Sequence, residues 1–138
     1  MSQQPNIETQ EKFGAAVNAG NLGEFTQLMS PDVIDHDPAP AQGPGPEGFI
    51  AFFTEFRSAF PDLMVDVEHM VTDEDNVSIA YTVTGTHRGP FMGIPPTGRQ
   101  IRARGVQIAR FADGKIVERW GSSDQLGILE QLGANVVA

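Results

Sequence analysis

The densest group of titratable side chains in the sequence is Asp35-His36-Asp37. A histidine flanked by carboxylates is a usable general base near neutral pH. On a strand, Asp35 and Asp37 would point to one side and His36 to the other. The same three residues would also serve as a polar strand end ahead of a Pro-rich loop. A second group consists of Gln107 and the alternating residues Arg119, Gly121 and Ser123, which can share one face of a strand pair. There, Gln107 and Arg119 could polarise a carbonyl or stabilise an enolate oxygen. A guanidinium on a pocket face is costly unless paired, so Arg119 needs Asp35, Asp37 or an anionic ligand, or else water at the pocket mouth. The candidate catalytic residues are therefore His36, Asp35, Arg119 and Gln107. Phe53, Phe56, Tyr81, Met92, Trp120 and Asp124 are the candidate ligand contacts. Two of these have plainer roles available. Trp120 alternates away from Arg119 and suits sheet packing or a subunit interface. Asp124 suits a helix N-cap, with an acid at the positive end of the dipole.

Composition excludes several other chemistries. The chain has no Cys among its 138 residues, so a disulfide framework, a thiolate zinc site and a cysteine nucleophile are all ruled out. A metal site needs three or more convergent ligands, and His69 and His87 lie far from His36 in sequence; no metal is expected. The net charge of −9 argues against nucleic acid and against anionic membrane surfaces. Within the basic run Arg99, Arg102, Arg104, Arg110, Lys115 and Arg119, an anionic small molecule could still be received. No window reaches the ~18 apolar residues of a membrane span, and Met1 to Asn6 lacks a signal pattern; the expected location is cytoplasmic.

The elements that must position these groups can be read from periodicity. One domain is expected over residues 1–138. Helical spacing covers Ile7 to Ala19 and, in a shorter piece, Leu22 to Met29, which Ser30-Pro31-Asp32 would close. A short strand follows from Val33 to His36. Asp37 to Pro46, with four Pro, reads as a structured loop leading into a helix from Glu47 to Phe60. Phe52, Phe53, Phe56 and Phe60 on that helix should be buried against the sheet. Alternation then predicts strands at Leu63 to Val71, Val77 to Thr84, Ile101 to Phe111 and Lys115 to Ser123, with a tight turn at Asp113-Gly114. A last helix runs from Gln125 to Leu132. Helices segregate from strands, which indicates α+β. One curved antiparallel sheet around a Phe-rich helix would leave a cone with a pocket at its wide end. Its outer face would need cover, so a homodimer through that face is expected.

Two stretches carry a family resemblance. One is Gly85-Thr86-His87-Arg88-Gly89 followed by Phe91-Met92-Gly93-Ile94-Pro95-Pro96-Thr97-Gly98-Arg99. The other is Asp113 to Glu118 followed by Asp124-Gln125-Leu126-Gly127-Ile128-Leu129-Glu130-Gln131-Leu132-Gly133. Together they resemble SnoaL-like polyketide cyclases. The resemblance implies the NTF2-like cone-shaped α+β barrel, with the curved sheet wrapped around the N-terminal helices. It also implies intramolecular aldol ring closure on a polyketide ester, with no metal and no organic cofactor. It further implies that a His-x-Asp pair, whose Asp is the general acid/base, falls at Arg119 and Gly121. A family His then falls at Gln107, a Gln at Gly105, and an Asn at Asp35 or His36. Glycine cannot move a proton, so the family's own residue cannot act here.

The expectation is thus a pocket for a small hydrophobic molecule, with cofactor-free cyclisation or isomerisation by acid–base chemistry. The alternatives are a non-catalytic pocket protein for a lipophilic metabolite, or an epoxide-hydrolase-like enzyme in which Asp35, Arg119 and Asp124 imitate an Asp–Arg–Asp arrangement.

Overall fold

A computed structural model describes residues 3–134. The chain begins with α1 (Gln3–Ala19), a 3-10 turn (Leu22–Glu24) and the single-turn α2 (Phe25–Leu28). Strand β1 (Met29–Asp35), helix α3 (Gly45–Ala59) and strands β2 (Met64–Thr72) and β3 (Asn76–Thr86) follow. Strands β4 (Gln100–Ala112) and β5 (Lys115–Ser123) and helix α4 (Gln125–Gln131) complete the fold. The strands form one sheet in the order β1-β5-β4-β3-β2, and α1 lies against β2 and β3 while α3 lies against β1. The α+β expectation holds. No described helix is long and apolar enough to cross a membrane.

The antiparallel part is a meander, β2 to β5, whose register follows the sequence alternation. Its last turn is a two-residue loop in which Asp113 and Gly114 both adopt positive φ, 53° and 74°, as a hairpin twisted like its strands requires. The sheet is nevertheless mixed, because β1 pairs in parallel with β5. Strand β1 also starts at Met29, where a helix end at Ser30-Pro31-Asp32 was expected. A proline is tolerated there because β1 is an edge strand with one side free of ladder bonds. The ladder slips at this point: β1 advances from Met29 to Ile34 while β5 advances only from Ile116 to Glu118. That slip sets Asp35 opposite Arg119.

The core lies between the helices and the concave face of the sheet. Phe25 and Phe60 are both fully buried, with Met29, Leu63 and Ile116 beside them. Phe13 stacks on Phe25 at 4.5 Å, and Phe53 meets both rings edge-on at 6.0 and 5.8 Å. His87 is also fully buried; its Nδ1 accepts the Thr97 N–H at 3.2 Å and so ties the start of the β3–β4 loop to its end. Of the four phenylalanines expected to be buried, only Phe60 is fully so. Phe52, Phe53 and Phe56 are half-buried because they face a cavity inside the cone.

This division predicts unequal costs. Phe60→Ala should lose about 3–5 kcal/mol in denaturant unfolding. Phe53→Ala should lose less, since it enlarges a cavity that already exists.

Candidate active site

The cavity has two adjoining chambers. The inner one, of about 120 Å³, is walled by apolar side chains, among them Val17, Phe53, Phe56, Ile79 and Val83. The outer one, of about 280 Å³, is more polar and includes Asp35, Asp37, Gln42, Gly121 and Ser122. Phe13, Phe52, Phe53, Gln107, Arg119 and Ser123 border both. Arg119 and Gln107 thus stand where the apolar space meets the polar mouth.

Arg119 organises this junction. Its Nη1 donates to Asp35 Oδ1 at 3.1 Å and, more weakly, to the Asp37 carbonyl at 3.4 Å. Its Nε donates to Gln107 Oε1 at 3.1 Å. The two charged side chains are well shielded, Arg119 being 20% and Asp35 7% exposed. Asp35 Oδ2 accepts from Gln42 Nε2 at 3.0 Å, and Gln42 Oε1 in turn accepts the Ala39 N–H at 3.0 Å. Asp37 Oδ2 accepts the Gly121 N–H at 2.9 Å. Each carboxylate therefore has a defined orientation. Among the described residues, Arg119 Nη2 and Gln107 Nε2 have no hydrogen-bond acceptor. They are donors left over beside a carboxylate.

Two glycines make the arrangement possible. A Cβ at position 121 would collide with the Arg119 guanidinium, which lies across that glycine. A Cβ at position 105 would collide with the Tyr81 ring in the same way. Each glycine on the concave face thus leaves room for a longer neighbour to lie flat. Tyr81 lines the inner chamber, and burial pushes its hydroxyl above the ordinary tyrosine pKa while the Arg119 charge pulls it down.

Other candidates lie elsewhere. His36 lines neither chamber. Its ring stacks on Trp120 at 4.6 Å, 8° from parallel, and its Nε2 pairs with Glu118 Oε2 at 2.7 Å. Strand alternation is the cause: with Asp35 turned into the cone, His36 and Trp120 belong to the convex face. The His36 bond, followed by that from Arg110, holds the Glu118 carboxyl below its usual range. Trp120 lines a shallow groove on that outer face with Val71 and Ile108. Met92 is 53% exposed and lies outside both chambers, its sulfur accepting from Gln125 Nε2. Asp124 caps α4, its Oδ1 accepting the Gly127 N–H at 2.9 Å, and does not join Asp35 and Arg119. Among the described residues, no three metal-ligating side chains converge. Asp35, Gln107, Arg119, Phe53, Phe56 and Tyr81 are the candidates the structure brings together.

Gln42 and Gln10 line the cavity and escaped the sequence reading. Gln42 sits in the Pro-rich loop, where no periodicity marks it. Gln10 did carry a signal: it precedes Phe13 and Val17 by one and two helical turns, a polar residue on the buried face of α1.

Comparison with known proteins now decides the family. The model of SnoaL-like polyketide cyclases matches residues 7–132. The chain belongs to that family. Aklanonic acid methyl ester cyclase DnrD of Streptomyces peucetius is 30% identical over 134 residues, covering 92% of this chain and 90% of that one. Nogalonic acid methyl ester cyclase of Streptomyces nogalater is 29% identical over 123 residues, covering 86% and 90%. Among solved structures, TsrD from Streptomyces laurentii superposes with a TM-score of 0.89 at 29% identity, covering 98% of this chain and 99% of that one. These neighbours place the SnoaL-like chain in the NTF2-like cone fold.

The coupling of Gly121 to Arg119 is open to measurement. Arg119→Met should cost about 1–3 kcal/mol by leaving Asp35 short of a partner. Gly121→Ala should cost a similar amount in the wild type by expelling the guanidinium. It should cost much less in the Arg119→Met background, a non-additivity that a double-mutant cycle reads directly.

Proposed function

We propose that this SnoaL-like protein is a cofactor-free carbon-acid enzyme acting on a neutral, largely apolar polyketide-type ester, with Asp35 as the base. The supporting observation is the junction of the chambers, where the Asp35 carboxylate stands beside the unused donors Arg119 Nη2 and Gln107 Nε2. A carbonyl oxygen placed against those donors brings its α-carbon toward the carboxylate. Asp35 then takes the α-proton, and the C–H electron pair moves into an enolate whose oxygen the two donors stabilise. Attack of the enolate carbon on a second carbonyl of the same molecule forms the new C–C bond. The resulting alkoxide recovers the proton from Asp35, so the overall change is an isomerisation needing no co-reactant. Gln42 holds the second oxygen of Asp35 and fixes the direction of its lone pairs.

Charge favours an ester over a free acid. Asp35 and Asp37 outnumber Arg119 at the mouth, and the chain carries nine excess negative charges. A substrate carboxylate would meet net repulsion, whereas a methyl ester of the kind named for the relatives would not. On the family resemblance, Arg119 and Gly121 stand where an acid/base pair would be, so the proton carrier here moves to Asp35 on β1, the strand beside β5.

The convex face suits a second copy of the chain. Ile34, Val71, Val106 and Ile108 are exposed there. Burying such a face is the expected source of a homodimer. Light scattering at micromolar concentration should give twice the chain mass; a monomer would remove this assignment.

The catalytic assignment is tested by solvent deuterium exchange and ring closure on a polyketide methyl ester. Asp35→Asn should lower both rates by about 10²–10⁴-fold. His36→Ala, on the convex face, should leave them within a few-fold. Tight binding with no exchange in the wild type would instead identify a pocket protein.

A further inference from the structure

The inner chamber contains polar groups that proton transfer at Arg119 does not use. Gln10 is only 3% exposed and lines this chamber, yet its Oε1 is buried without a hydrogen-bond partner. Among the described residues its Nε2 has no partner either. Tyr81 lines the same chamber from the opposite wall, and its hydroxyl likewise bonds to no described residue. An amide oxygen kept buried and unpaired weakens the fold, and such a group is retained where something outside the chain completes it. Its position on the buried face of α1, in line with Phe13 and Val17, would accept an apolar side chain without loss.

We infer that Gln10 and Tyr81 form an inner subsite for a hydroxyl group, and that the ligand is an apolar ring system carrying that hydroxyl at the end remote from its reacting carbonyl. The inference rests on the reading of Arg119 and Gln107 as the carbonyl site, and adds the orientation and substituent of the molecule. A hydroxyl fits because it donates and accepts at once, and so can pair with either end of the amide and with the phenol. It is also neutral. Arg119 is the one charged side chain among the residues lining the chamber and is already paired with Asp35, so an ammonium or carboxylate would gain no free counter-charge there. The aromatic walls, Phe52, Phe53 and Phe56, match the faces of a ring system.

The probes are acetylnaphthalene with and without a hydroxyl on its distal ring, titrated by fluorescence at mildly acidic pH where the phenol is un-ionised. Wild type should bind the hydroxylated probe about tenfold more tightly. Gln10→Met and Tyr81→Phe should each draw that ratio toward one, because only the hydroxylated probe loses a hydrogen-bond partner. Gln10→Met should also raise the ligand-free Tm by about 2–4 °C, because it removes a buried amide oxygen that has no partner. A wild-type ratio near one, a ratio that Gln10→Met leaves intact, or a Gln10→Met protein that melts earlier overturns the subsite. Arg119→Met separates the two claims: it should weaken both probes equally and leave the ratio alone. Unchanged affinity for both probes in that variant, with the Gln10-dependent ratio preserved, would sink the carbonyl site and keep the subsite. Failure of both probes to bind wild type overturns both.

Discussion

A guanidinium placed inside an apolar cone has to be paired, and much of this molecule follows from how Arg119 is paired. Isolated in the cavity, its charge would cost several kcal/mol of desolvation. The partner is Asp35, on a strand that reaches β5 only by a parallel crossover and only after its ladder slips between Met29 and Ile34. Without that slip, alternation would present a different β1 residue to Arg119. The irregular start of β1 and the ion pair are therefore one feature seen at two scales.

The same pairing shapes the floor of the cavity. Arg119 can lie across the sheet only because residue 121 has no side chain, and Tyr81 lies flat only because residue 105 has none. Side-chain bulk has been transferred from two positions on β4 and β5 to their neighbours. The consequence is chemical as well as steric. Position 121, where a short acid would project straight into the cone, is instead roofed by a fixed cation. The negative charge that balances it comes from β1 on the other side. Asp35 and the spare donors of Arg119 and Gln107 thus stand side by side at the chamber junction, and it is this arrangement on which the proposed proton removal next to a carbonyl rests.

Legibility in the sequence was uneven, and the boundary is a physical one. Local rules sufficed for the meander, for the Asp113-Gly114 turn and for the Asp124 cap, because each is decided by residues within one turn or one strand pair. Alternation also separated Asp35 from His36. It could not say which of them faced inward, since that depends on β1 pairing with a strand eighty residues later. His36 was the more tempting base on chemical grounds, and the sheet turned it toward Trp120. The helix α3 misled in another way. Its phenylalanines are spaced as a core, and the spacing is the same whether the rings touch other side chains or the wall of a cavity. Gln42 had no pattern to betray it, because a loop residue is placed by the loop's path alone.

The polarity of the cone then runs in one direction with a consequence for any occupant. Its mouth is anionic, its junction holds a cation with spare donors, and its inner chamber is apolar except for an unpaired amide and a phenol. A molecule that enters past Asp35 and Asp37 must lead with its apolar part, because a charged leading end would be stripped of water with nothing to replace it. On the proposed reading, its carbonyl stops at the donors of Arg119 and Gln107 and its remote hydroxyl at Gln10 and Tyr81. The carbon beside that carbonyl would then be held near Asp35 by the placement of the rest of the molecule. In the proposed reaction, binding energy from the apolar body would in this way become alignment at the reacting carbon, a use of remote contacts that raises rate rather than affinity alone. The apolar chamber and the ion pair are accordingly two halves of one device, and neither orients a substrate without the other.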